Sequence, residues 1–266
     1  MAKLHIDHLA AQLTKGTLYL AMEKLPEDRE ETYGNAMNRS SSQNMKQQHL
    51  AMITSRWITF TKQPLETGAL QHAVSMATDS KEINEEDLID VDLLVSFCCG
   101  FVSNDRESSV IRHVHHTLQI YLEDKLPRVQ SNIEIARTCL RCLGCPVFAT
   151  PCEDTKSLTE WMGRYKLSPY AASHWADHVP EGSQILEQVV LETFENDGNR
   201  TPMLQMQYCT SKKWVRCKRT YNYSKVHLAS AHGLSNICHT LLCNYQPRNI
   251  LEKLSKPKRL CLFGIL

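Results

Sequence analysis

Between Val110 and Leu122 the apolar spacing changes from a period of two to a period of three and four. Val110, Arg112 and Val114 alternate with Ile111 and His113, after which Leu118, Tyr121 and Leu122 recur at i, i+3 and i+4. The pattern predicts a short strand, a corner at His115 and His116, and an amphipathic helix. Upstream, Phe101 and Val102 pair with this strand as a hairpin whose polar tip is residues 103–109. The remaining chain reads as helices and breaks. Leu4, Leu9, Leu13, Leu20 and Leu25 are spaced for packing, Pro26 with residues 27–31 marks a polar break, and residues 40–44 mark a second one whose serines can cap the next helix. Leu50, Ile53, Trp57 and Ile58 form an apolar face, a helix starts at Thr67 and buries Leu70, Ala73 and Val74, and Asn84 caps an acidic first turn. Residues 92–101 are the helix before the hairpin. After the hairpin come helices at 131–143, 157–161, 170–178 and 183–194, and residues 196–202 read as a turn and domain boundary.

Composition narrows the classes of function. The chain has 266 residues, enough for one large or two small domains. Thirty basic and 29 acidic residues leave a net charge of +1, so bulk attraction to nucleic acid or membrane is not expected. No apolar run reaches the ~18 residues of a membrane span and the start lacks the apolar stretch of a signal peptide. The eleven cysteines then read as reduced thiols, and the expected location is cytoplasmic.

Several landmarks fall in the order of one family. They are Leu-His-Ile-Asp-His-Leu at 4–9, Ala-Met-Glu-Lys-Leu-Pro at 21–26, Trp-Ile-Thr-Phe-Thr-Lys-Gln-Pro-Leu at 57–65, Gly-Ala-Leu-Gln-His-Ala at 68–73 and the run 92–102. Ile-Arg-His-Val-His at 111–115, Ile-Ala-Arg-Thr-Cys-Leu at 135–140 and Tyr-Ala-Ala-Ser-His-Trp-Ala-Asp-His at 170–178 complete the series. From Leu4 to about Leu242 the chain resembles the middle of fungal NACHT-ankyrin proteins, NLR-like signalling ATPases of the STAND class. The resemblance implies a mainly α fold: the end of a NACHT helical region at 1–45, a winged-helix domain of the GPI-inositol-deacylase type with a small β-hairpin wing at 46–126, and a helical linker at 127–200. An ankyrin-like helix pair at 201–250 and an unstructured tail at 251–266 follow. Residues 225–242, with Ala229, Ala231 and Gly233, resemble one ankyrin repeat.

Missing chemistry matters equally. No Gly-x4-Gly-Lys-Ser/Thr phosphate loop occurs, and no Gly-x-Ser-x-Gly nucleophile elbow. The expectation is a non-catalytic regulatory and protein-interaction module acting in signal transduction, without the NTPase core and without a cofactor of its own. Its partners would be proteins or a separately supplied NTPase domain, with no nucleic acid and no membrane. The alternative, a nucleic-acid-binding winged helix, needs a basic recognition helix, whereas 87–101 carries Asp87, Asp90 and Asp92 and no Lys or Arg.

Three clusters have the residue types of metal ligands. Cys139, Cys142, Cys145 and Cys152 are spaced C-x2-C-x2-C-x6-C, but the first two lie in an apolar helix and read as buried thiols. Alternation sends His113 and His115 one way and leaves His116 at a corner, and His174 and His178, four apart on one helical face, lie in a segment read as packing; no metal is expected at any of them. The resemblance singles out His115. In the family a Val/Met-His motif at the wing-to-helix corner touches the β-phosphate of ADP held by the neighbouring NTPase domain, and Val114-His115 stands at that position. The following helix departs from the family in having Ile120 rather than Glu before Tyr121.

Overall fold

In the computed structural model the described residues are 6, 9–10, 12–23, 28–78, 84–180, 183–195, 197–210 and 224–243. Leu4, Leu25, Pro26, residues 211–223 and 244–250 of the expected ankyrin segment, and the expected tail at 251–266 lie outside them. The chain divides into two compact units, Met1–Tyr221 and Asn222–Leu266. The fold is mainly helical with one two-stranded antiparallel sheet.

In the first unit α1 (Lys15–Glu23) is followed by α2 (Arg29–Ser41). The acidic run expected to break the chain instead starts α2: the Asp28 carboxylate accepts from the Glu30 and Glu31 main-chain N–H groups, and both glutamates favour the positive end of the helix dipole. Asn44, rather than the preceding serines, caps α3 (Met45–Phe60) by accepting from the Gln47 N–H. Helix α3 is the centre of this unit. It buries Leu50, Ala51, Ile53, Trp57 and Phe60 and packs against α2, α4 (Thr67–Ala77), α5 (Val91–Phe97) and α6 (His116–Lys125).

The hairpin pairs β1 (Val102–Asp105) with β2 (Val110–His113), Val102 opposite His113 and Asn104 opposite Ile111. Val102 and Ile111 are buried toward the helices, and Arg112 and Asp105 form an ion pair. Glu66 bridges to Val110, and the Ser109 carbonyl accepts from both the main-chain N–H and the hydroxyl of Thr67. The hairpin tip thus satisfies an N–H at the start of α4 that the helix cannot. Three residues after α5, Gly100 turns the chain into β1 at φ 88°, a conformation that favours glycine.

Helix α7 (Arg128–Leu143) connects this bundle to the next layer, α8 (Thr155–Arg164), α9 (Ser168–His174), α10 (Gln184–Glu195) and α11 (Asp197–Thr210). Its own neighbours are α3 and α4 on one side and α9 and α10 on the other. Ala136 and Ile133 of α7 cluster with Leu186 of α10 and with Val179, and Ala171 and Ala172 of α9 are buried.

Three expectations change here. The helix read over 92–101 ends at Phe97, and residues 98–100 form a turn. The segment read as one helix over 170–178 is α9 followed by a 3-10 turn at Ala176–His178. Residues 197–202, read as part of a turn and boundary, form the start of α11, with Pro202 inside the helix. Tertiary hydrogen bonds override the turn propensity of Asp-Gly-Asn. Asn199 Nδ2 donates to the Leu143 and Cys145 carbonyls, and Arg200 donates to the Phe194 carbonyl. The Gln205 amide pairs with both main-chain groups of Cys152.

In the second unit α12 (Lys225–Ala231) and α13 (Ser235–Cys243) pack together. Leu228, Ala229, Ile237 and Leu241 are buried, and Gly233 at φ 67° makes the turn between the two helices.

Candidate functional site at the hairpin-to-helix corner

The three histidines that close the hairpin have different surroundings. His113, the last residue of β2, packs inward, where its Nε2 lies 3.1 Å from the Thr59 hydroxyl. Burial lowers its pKa from 6.5 to about 4, with the Phe101 main chain and the Glu123 carboxylate pulling the other way. His115 leaves the strand and becomes the N-cap of α6: its backbone is extended and its Nδ1 accepts from the Thr117 N–H at 3.2 Å. The Thr117 hydroxyl sits 2.8 Å from the same Nδ1 and 2.7 Å from the Tyr33 hydroxyl on α2. His116 stacks on His115 with ring centroids 4.4 Å apart. His115 is exposed and Tyr33 is buried, so a surface ring is tied to an interior anchor. Sequence alternation alone put His113 and His115 on one side; the end of the strand at His113 separates them.

The rest of α6 holds this corner in place. Leu118 and Leu122 are fully buried, Tyr121 packs on Tyr33 at 5.2 Å, and Ile120 is exposed. Gln119 and Arg128 both bond Glu123.

The other clusters are built differently. Cys139, Cys142, Cys145 and Cys152 are all buried free thiols. Burial pushes the Cys139 and Cys142 thiols well above the ordinary range, which disfavours the thiolate a metal requires. Among the described residues no group of three or more His, Cys, Asp or Glu side chains converges as a metal site. His174 and His178 also diverge. His174 pairs with Asp177 at 2.8 Å near the surface. His178 is buried between Tyr170 Oη on Nε2 and Asn132 Oδ1 on Nδ1, each at 2.7 Å. Tyr170 in turn accepts from the Lys62 N–H, and Asn132 donates to the Arg128 carbonyl. This buried chain was not read from the sequence, and neither was the Tyr33–Thr117 bond.

A depression of about 70 Å³ beside α2 and α3 is lined by Met37, Ser40, Gln48, Met52, Phe101 and Leu126 among others, none of them ionisable. Among the described residues no helix is long and apolar enough to cross a membrane. Comparison with family models, with curated proteins and with solved structures found no match to this chain.

Proposed function

We propose that this chain is a non-catalytic regulatory and protein-interaction module of the fungal NLR-like, NACHT-ankyrin type, without the NTPase core of that class. The observation that supports the reading most is the element order from Met45 to Lys125. Helix α3, the bridging residue Glu66, helices α4 and α5, the hairpin β1–β2 and then α6 follow the helix–strand–helix–helix–strand–strand sequence of a winged helix, with β1–β2 as the wing. In this reading α7 to α11 are the helical linker, and α12 with α13 is the onset of an ankyrin-like repeat. A single repeat leaves its faces uncovered, so the module works with further repeats or with a partner. Its partners are proteins or an NTPase domain supplied separately.

His115 is the residue that such an NTPase domain would meet. It is exposed at the corner where the family carries its nucleotide-sensing histidine, and a ring nitrogen there can donate to a phosphate oxygen. The alternative of DNA binding gains nothing from the geometry: α5 is capped by Asp90, carries Asp92 in its first turn and has no basic residue.

Calorimetric titration of the purified chain with ADP and with ATP, both with magnesium, tests the reading. The expected outcome is no binding heat and no hydrolysis. Micromolar binding by the isolated chain would overturn it, because it would require a phosphate site within these residues.

A further inference from the structure

We infer that Tyr33 is a positioning residue for His115, acting through Thr117 to hold the imidazole in the tautomer that turns an Nε2–H outward. The inference rests on the regulatory reading of His115 above and adds the device that prepares it. A main-chain N–H only donates, so the Thr117 N–H at 3.2 Å requires a lone pair on Nδ1. With no proton on Nδ1, the 2.8 Å contact from Thr117 Oγ1 must be a donation by the Thr117 hydroxyl. That uses the one proton of the hydroxyl, so Tyr33 must be the donor in the 2.7 Å contact between Tyr33 and Thr117. The proton order Tyr33 to Thr117 to His115 is thus determined by one main-chain group.

In the neutral ring the remaining proton is on Nε2, the nitrogen that can face a phosphate-class anion. Tyr33 is only 3 % exposed and is packed on Tyr121, so the anchor of the chain is rigid. The His116 ring, 4.4 Å away, adds a second restraint on the His115 ring. A ring so held meets an anion without first reorienting its donor.

Long-range proton–nitrogen NMR on the full chain with ¹⁵N-labelled histidine, assigned by loss of a signal in His115→Gln, reads the tautomer directly. The wild type is expected as the Nε2–H form. Removing one bond of the chain in Tyr33→Phe or Thr117→Val should lower the ratio of Nε2–H to Nδ1–H by about three- to tenfold, the equilibrium value of one net hydrogen bond. Thr117→Ser, which keeps the hydroxyl, should restore the ratio; a merely structural role for Thr117 would not show this rescue. An Nδ1–H form in the wild type, or ratios unchanged in both Tyr33→Phe and Thr117→Val, overturns the inference. Titrating the same wild-type sample with inorganic pyrophosphate separates the two claims. A weak shift at the His115 Nε2–H that appears only at millimolar pyrophosphate, too weak to give binding heat with ADP or ATP, supports the phosphate role, whereas no shift with the tautomer intact overturns the phosphate role and leaves the positioning by Tyr33 standing.

Discussion

Tyr170 donates its hydroxyl proton to Nε2 of the buried His178 across 2.7 Å, and the two ends of their hydrogen-bond chain leave no other direction. At one end the Arg128 carbonyl can only accept, so Asn132 must turn its amide nitrogen there and its oxygen toward His178. His178 then carries its proton on Nδ1 and presents a lone pair on Nε2. At the other end the Lys62 main-chain N–H can only donate to the Tyr170 oxygen, leaving the Tyr170 proton for His178. The chain joins the α3–α4 connection, α9, the 3-10 turn after it and α7, so a single polar network ties the helical bundle to the layer behind it.

Acid should therefore destabilise the fold well above the range of carboxylates. Burial lowers the pKa of His178 from 6.5 to about 3, with Lys62 contributing in the same direction, and burial lowers that of His113 from 6.5 to about 4. The folded state binds these protons less readily than the unfolded chain. Stability is complete above pH 6.5 and declines as the pH falls below it, by up to about 1.4 kcal/mol per pH unit for each histidine. Urea denaturation at pH 7, 6, 5 and 4.5 should give a falling midpoint in this window, and His178→Gln should flatten the fall. A wild-type midpoint that is constant from pH 7 to 4.5 would contradict this assignment.

Breaking this buried chain should cost more than breaking an exposed ion pair elsewhere on the protein. Tyr170→Phe keeps the ring that packs edge-on against Trp57 but leaves the Lys62 N–H and His178 Nε2 without their partner. With about 1–3 kcal/mol for each buried polar group left unpaired, a loss of about 2–6 kcal/mol is expected at pH 7. Disrupting the exposed pair of Arg106 and Asp92 by Arg106→Ala should change stability by less than about 0.5 kcal/mol. Thermal unfolding of the two variants side by side checks the contrast.

The parts of the fold legible in the sequence are those set by neighbours along the chain. The helix start at Thr67, the amphipathic stripe of α7 and the presence of a hairpin follow from periodicity and turn residues, and the structure contains them, although β1 runs on to Asp105 and leaves only residues 106–109 as the tip. Asp28 was overlooked as a cap because its acidic neighbours resembled a solvated break. The networks were illegible for a different reason. Tyr33 and Thr117 are 84 positions apart, and His178 and Asn132 are 46 apart. No local pattern encodes such a pairing, and a His-x3-His spacing suggests a shared ligand even when the two rings bond to different partners. Helix α11 is the clearest case of long-range contacts overruling local signals, since Asn199 and Gln205 secure a segment whose Gly-Asn and Pro residues favour a turn.

Thiol chemistry should follow burial rather than cysteine spacing. Cys243 is exposed, whereas Cys98, Cys139, Cys142 and Cys145 are buried; burial pushes the Cys98 thiol up to about 12 and those of Cys139 and Cys142 higher than ordinary. Under native conditions a thiol-reactive disulfide should modify Cys243 within the first phase, and these four buried thiols only as the protein unfolds. Peptide mapping identifies the sites. Exhaustive treatment with a chelator should leave the melting temperature unchanged; a drop restored by zinc would mean that the C-x2-C-x2-C-x6-C cysteines bind metal after all.

Gln205 offers the most local test of how α11 is anchored. Its side-chain amide acts as a peptide group toward Cys152, accepting from the N–H at 3.0 Å and donating to the carbonyl at 2.8 Å, both inside the protein. Gln205→Met keeps nearly the same volume and flexibility while removing both bonds, so cavity formation does not confuse the result. Two main-chain groups of Cys152 then lose their partner, which should cost about 2–6 kcal/mol. Gln205→Glu should be no better than Gln205→Met, because a carboxylate can accept from the N–H but sets an unprotonated oxygen against the Cys152 carbonyl. Chemical denaturation measures the cost, and hydrogen exchange at the Cys152 amide locates it. In both variants that amide should exchange faster than in the wild type, and an unchanged exchange rate would mean that α11 is held by its apolar contacts, Met203, Leu204 and Met206, without help from this pair.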